Sequence, residues 1–268
     1  MMQDSILDML EHEDPFWAAL VICQQLEQDV DIDHYHLLLD SLVEQCRIEL
    51  SGKTDLSAFK SFVSLFYREL LFSAPRLSKT SPELCLMNHV LELRQGMSVS
   101  LAIVFSFLAR RLGFDVHGIN FPGHFLLCWQ QNATRQFYLD PLNGNLLSYE
   151  DLEKLYFAIV DEDEFDNNLL TPCDTKQVIV RLLNNLKVAL MDEQHFSLAL
   201  QCSDLLIALC PDDPYERRDR GFLLHQLNCF QVALADYRHF IKECPTDPAA
   251  QILKLQLKHL QPLPVVFH

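Results

Sequence analysis

Between residues 196 and 248 the chain repeats itself. Phe196, Ala199, Leu200, Cys210, Pro211 and Pro214 recur as Phe230, Ala233, Leu234, Cys244, Pro245 and Pro248, each displaced by 34 residues. A fixed period of this length confines a segment to one helix pair per repeat, with a small residue at the tight crossing and proline after the second helix. Gly221, 12 residues before Ala233, fits the small position of a first helix. The pattern predicts about two repeats beginning near residue 180, then a capping helix over "AAQILKLQLKHL". The following "PLPVVFH" is apolar and is expected to dock on a groove.

Upstream, apolar positions recur at helical spacing in "PFWAALVICQQLEQ", "YHLLLDSLVEQCRIEL" and "LSAFKSFVSLFYRELL", which predicts an all-helical opening. Ser81, Pro82 and Glu83 read as the N-cap and first turn of a helix running to about Arg94. Gly96 ends it. The next helix, about residues 98–112, is apolar on most faces and should be buried, with Gly113 as its stop. The period then changes to two: "DVHGINF", "HFLLCWQ" and "RQFYLDP" predict an antiparallel meander packed on that helix. The helix "SYEDLEKLYFAIV" closes the unit, and the acidic "DEDEFDNNLLTPCD" reads as a linker. The expected architecture is α+β, with residues 1–165 forming a mainly helical domain around a small sheet and residues 173–268 the helical repeats.

A formal charge of −16 disfavours nucleic acid and anionic membranes as partners. The N-terminus lacks a basic stretch followed by an apolar run, and the run from Val99 to Ala109 is too short to span a bilayer, so the expected location is cytoplasmic. The 9 cysteines are scattered with no C-x-x-C pair, so they read as small core residues in a reducing compartment rather than as zinc ligands or disulfides. No metal site and no cofactor is expected; "DEDEFD" lacks the turn glycine and distal glutamate of a calcium loop. Arg217, Arg218 and Arg220 could hold an acidic peptide, but pairing with nearby carboxylates is the preferred reading.

A papain-like acyl-transfer site needs a thiolate at a helix N-terminus, a histidine on a neighbouring strand and an acid to orient it. Gly96 and the buried helix supply the start, His124 opens one strand and Asp140 ends the next, but Ser98 stands where cysteine is required. Cys128 is four residues along the strand from His124, about 13 Å, too far for proton transfer. Cys85 has no evident route to His124. A hydroxyl is a far weaker nucleophile than a thiolate, so Ser98 is better read as the N-cap of its helix. Asp140, before Pro141, is on its own the start of a "DPLNG" turn, and His124 on its own a core histidine. Their order nonetheless predicts one shared pocket and a hydrogen bond between them.

This order resembles the transglutaminase-like core, and Gly96, Ala102 and Gly113 keep its frame. "HVLELRQGMSVSLAIVFSFLARRLGF", "NFPGHFLL", "LDPLNG" and "DPYERRDRG", with the tetratricopeptide-like period, further resemble the SirB-type bacterial family over roughly residues 30–255. The resemblance implies a transglutaminase or protease fold lacking the usual thiol, proline often filling the position of Ser98 and Ser100 being the usual serine. It also implies a regulatory role in some members. The expected function is a non-catalytic cytosolic scaffold or regulator that binds a protein or peptide through the repeats and the old cleft. The alternatives are repeats that only cover the core domain, and a Ser98-His124-Asp140 amidase, protease or acyltransferase.

Overall fold

The computed structural model describes residues 14–27, 29–75, 80–161 and 164–260, with backbone alone for 258–260. Contacts divide the chain into a first unit, residues 1–189, and a second, residues 190–268. The first opens with α1 (Pro15–Leu26), α2 (Ile32–Leu50) and α3 (Leu56–Ser64), each begun by an aspartate. Asp14, Asp31 and Asp55 accept hydrogen bonds from first-turn amides, which satisfies donors that a helix start leaves open. A π turn, Leu65–Glu69, extends α3 and presents Tyr67.

The helix predicted for residues 82–94 is broken in two. Pro82–Leu84 forms a 3-10 turn, Leu86 is extended, and α4 covers only Met87–Leu93. The Met87 amide is held by Cys23 Sγ at 3.1 Å, a tertiary contact that wins over local helical continuity. Ser81 does not cap; its hydroxyl meets Glu83 at 2.5 Å.

From Ser98 to Arg111 runs α5, buried from Val99 to Ala109 and ended by Gly113 at φ +90°. The meander follows as β1 (Val116–Ile119), β2 (Leu126–Asn132), β3 (Arg135–Leu139) and a short β4 (Leu146–Leu147), antiparallel in the order β1-β2-β3-β4. Both faces of β2 are covered. Leu126 and Cys128 join Ile119, Phe121 and Tyr138 in a core closed by Leu152 and Tyr156 of α6 (Tyr149–Phe157). On the other face Trp129 stacks on Phe59 of α3 at 4.1 Å, and α5 packs along β1 and β2. A capping box between Ser148 and Asp151 starts α6.

The division between units falls inside α7 (Thr175–Asp192). Beyond it lie α8 (Phe196–Leu209), α9 (Pro214–Gln226), α10 (Phe230–Glu243) and α11 (Pro248–Leu260). The period is visible in the backbone: Gln194 and Asn228, 34 residues apart, both turn through positive φ, at 63° and 62°. Asp213 and Asp247 cap α9 and α11 in the same manner. Gly221 is required because a Cβ there would lie 2.8 Å from the Tyr237 ring, where α9 crosses α10. The expectation for "PLPVVFH" falls outside the described residues.

Candidate functional site

The entry to α5 is built by three short contacts. Ser100 is fully buried, its hydroxyl 2.6 Å from the Leu84 carbonyl and 3.0 Å from that of Met97, and the Met97 amide also donates to Leu84 at 3.1 Å. A Cβ on Gly96 would lie 2.6 Å from the Ser100 hydroxyl oxygen, so this position excludes a side chain. Met97 is thereby fixed as the N-cap, extended at φ −72° and ψ 168°, and Ser98 becomes the first helical residue. The expectation that Ser98 caps the helix is therefore corrected by one position: only the extended residue before the helix aims its side chain at the open amides. No side chain caps α5, and the half-buried Ser98 hydroxyl makes no hydrogen bond among the described residues.

His124 lies in a turn closed by its own amide on the Phe121 carbonyl at 3.1 Å, with Gly123 at φ +68°. It precedes β2 by two residues rather than opening the strand. Asp140 follows β3 and applies both oxygens to its own loop. One accepts from the Leu142 amide at 2.9 Å and the other from the Asn143 side-chain amide at 2.7 Å, while its carbonyl accepts from Gly144 at 2.8 Å. This is an Asx turn, in which aspartate mimics a backbone acceptor. Among the described residues no hydrogen bond or ion pair joins His124 to Asp140 or to Ser98.

In the second unit the arginines of "YERRDRG" are paired. Asp236, buried, receives Arg220 through two nitrogens at 2.7 and 2.8 Å and Arg217 at 3.2 Å; Arg220 also reaches Asp204 at 3.1 Å. Arg218 bonds Asp219 and lies over the rings of Tyr215 and Phe240. Beside this network a groove of about 660 Å³ opens between α9 and α11. Phe222 and His225 form one wall, Ile252 and Leu253 the other, with Tyr237 and Met191 also lining it.

Comparison with known proteins matches residues 33–184 to a transglutaminase-like superfamily model and residues 186–258 to a tetratricopeptide repeat model. The chain belongs to the transglutaminase-like superfamily. It is 36% identical to a UPF0162 protein of Vibrio cholerae over 91% of both chains. It is 33% identical to protein SirB1 of Salmonella typhimurium and 30% to UPF0162 protein YchA of Escherichia coli, over 98% of this chain and 99% of each relative. The SirB-type resemblance is thus shown.

Within this transglutaminase-like unit, two side chains that the sequence did not single out make long-range contacts, and Tyr67 makes its own on the Asp140 loop. Tyr67 donates to the Pro141 carbonyl at 2.8 Å, and its ring fills the space beside Gly144, where a Cβ would lie 2.5 Å away. Burial, and then the charge of Asp140, raise its phenol well above the ordinary tyrosine range. Arg94, at φ 55°, places its guanidinium 4.8 Å over Phe72 and leaves Nη1 buried, with no hydrogen-bond partner among the described residues. Neither was legible, because each depends on a partner far along the chain.

Cys128 and Cys173 are poor substitutes for the thiol that the family layout calls for. Burial pushes Cys128 to about 11. Cys173 lines a cavity of about 300 Å³ with Ser106, Arg110 and His117, but burial raises its thiol too, which keeps it protonated and a poor nucleophile at neutral pH. Arg110 is paired with Asp14 at 2.5 Å, and His117 with Asp115 at 2.8 Å. Among the described residues no three His, Cys, Asp or Glu side chains gather to hold a metal ion, and no helix is long and apolar enough to cross a membrane.

Proposed function

We propose that this chain is a non-catalytic cytosolic scaffold or regulator, and that its repeat groove takes an apolar segment of a partner protein. The observation that carries this reading is the groove between α9 and α11, whose walls keep Phe222 39% and Ile252 57% exposed. Large apolar side chains facing solvent across a concavity are the usual mark of a recognition surface, and tetratricopeptide repeats generally serve protein contacts. The basic side chains beside it are engaged with Asp236, Asp204 and Asp219, so recognition there is apolar rather than by ion pairing.

The transglutaminase-like site supports the same reading. Ser98 has no thiol and, among the described residues, no hydrogen-bonded base, and Asp140 is committed to its turn. We therefore assign Ser98, His124 and Asp140 as a vestigial set.

Two measurements test this. Proteins recovered from lysate by the full chain should be lost with Ile252→Asp and retained with Ser98→Ala; retention by both variants would remove the groove from the function. A fluorophosphonate probe should leave Ser98 unlabelled. Labelling abolished by Ser98→Ala and by His124→Ala would establish the hydrolase or acyltransferase alternative instead.

A further inference from the structure

The buried stretch of α5 from Val99 to Ala109 is apolar apart from two serines, and the fold treats them differently. The Ser100 hydroxyl donates to the Leu84 carbonyl at 2.6 Å. Ser106 is only 4% exposed, yet it makes no hydrogen bond among the described residues. A hydroxyl taken out of water without a partner costs free energy, so its partner has to come from the space it faces. That space is the cavity of about 300 Å³ between α5, β1 and the start of α7. None of Ser98, His124 and Asp140 is among its lining residues. We propose that this cavity binds a small carboxylate, its charged end held by Ser106 and Arg110 and its apolar body resting on Ile103, Phe125 and Val178. The inference concerns the transglutaminase-like unit alone and does not depend on the repeat groove.

Four properties of the walls select this ligand. The first is position. Ser106 and Arg110 are four residues apart on one face of α5, where side chains start about 5–6 Å from each other, so the two oxygens of one carboxylate can meet both. The second is donor supply. A guanidinium has five N–H donors. The described contacts of Arg110 use one on Asp14 at 2.5 Å and one on the Val116 carbonyl at 3.1 Å, which leaves donors for a ligand. The third is charge. Thr175, the first residue of α7, lies on the wall, and the start of a helix favours an anion. The carboxylates nearby already have partners: Asp14 takes Arg110 and the Phe16 amide, Asp115 pairs with His117, and Asp174 takes the Gln177 amide. The net charge of −16 is screened beyond about 8 Å in physiological salt, so the groups in contact decide. The fourth is the apolar remainder. Ile103, Phe125 and Val178 offer no partner to a phosphate or a dicarboxylate, which need polar contacts on every side. At about 30 Å³ per water the cavity holds about ten waters, which sets a ligand of up to about ten non-hydrogen atoms.

The probes are para-fluorobenzoate and ω-fluorohexanoate, an aromatic and an aliphatic carboxylate of that size, each with its amide as the uncharged match. Binding to the full chain is followed by fluorine NMR linewidth. At least one carboxylate should bind with a Kd of about 1 mM or tighter. Its amide should bind about tenfold more weakly or worse, and Ser106→Ala should weaken the carboxylate about tenfold, the effect of one hydrogen bond to a charged acceptor. Without probe the Ser106→Ala variant should keep the Tm of the parent, because its hydroxyl has no protein partner to lose. Binding of neither carboxylate would leave ordered water as the only partner of Ser106 and overturn the proposal. Binding indifferent to the charge or to Ser106→Ala overturns it as well.

Should Ser106→Ala fail to fold, the unmodified chain gives the answer. Nuclear Overhauser effects from the bound probe to the methyl groups of Ile103 and Val178 support the proposal; effects confined to other methyl groups overturn it. Ile252→Asp, in the repeat groove, should leave probe binding unchanged. Loss of binding in that variant would place the probe in the groove and remove the cavity from the inference.

Discussion

Tyr67 ties the π turn after α3 to the loop that Asp140 organises, through one hydrogen bond to Pro141 and ring contact with Gly144. In an unfolded chain tyrosine loses its proton near pH ~10. Burial and the Asp140 charge hold the folded phenol above that value, so the folded state keeps a proton that the unfolded chain releases. The contribution of Tyr67 is therefore whole below about pH 10 and is lost as pH rises beyond it. Tyr67→Phe should cost about 1 kcal/mol at pH 7, for the lost hydrogen bond, and should make the alkaline decline shallower. Urea unfolding at pH ~7 and ~10.5 checks both parts; a decline as steep in the variant as in the parent would assign it to the other groups that burial raises, the phenols of Tyr35, Tyr138 and Tyr237 and the thiols of Cys23, Cys46, Cys128 and Cys173. At this scale the sequence revealed the order Ser98, His124, Asp140 but not what each side chain does. The local "DPLNG" signal was enough to place Asp140 in a turn. The cap of α5 was decided by a contact from Leu84, 13 positions before Met97, which no local pattern encodes.

Elements were legible where the chain reuses one solution. The 34-residue period placed α8 to α11 because each repeat meets the same crossing, and Gly221 could be named as the small position before the ring it faces was known. That ring supplies a prediction. Alanine favours a helix over glycine by about 1 kcal/mol, yet a Cβ at 221 would stand 2.8 Å from Tyr237. Overpacking of this kind costs about 1–3 kcal/mol, so Gly221→Ala should destabilise the repeats despite the gain in propensity. A double-mutant cycle with Tyr237→Leu, by urea unfolding, should show the penalty falling by at least about 1 kcal/mol. A penalty unchanged by Tyr237→Leu would move the cause to the α10 backbone, since the Ala233 carbonyl is the next neighbour at 3.4 Å. Residues 82–94 were misread for the opposite reason: Ser-Pro-Glu is a sound helix start, and only the distant Cys23 thiol shows why the chain breaks at Leu86.

At the scale of the whole molecule, charge sets two opposed effects. A net charge of −16 strains the compact state through self-repulsion, which salt relieves. Salt also weakens ion pairs, but the pairs that matter most here converge on Asp236, whose side chain is only 3% exposed, and buried pairs are screened little. Exposed pairs such as Arg47–Glu44 and Lys154–Glu150 contribute almost nothing to begin with. Repulsion should therefore dominate. Raising sodium chloride from about 10 to 150 mM shortens the screening length from about 30 to 8 Å, and Tm should rise by about 2–4 °C for each kcal/mol of repulsion removed. Differential scanning calorimetry at fixed pH measures it, with choline chloride expected to act equally because screening depends on ionic strength rather than on the cation. A fall in Tm would mean that the Asp236 network is open enough to be screened. In that case Asp236→Asn should abolish the salt dependence along with the stability of the repeats.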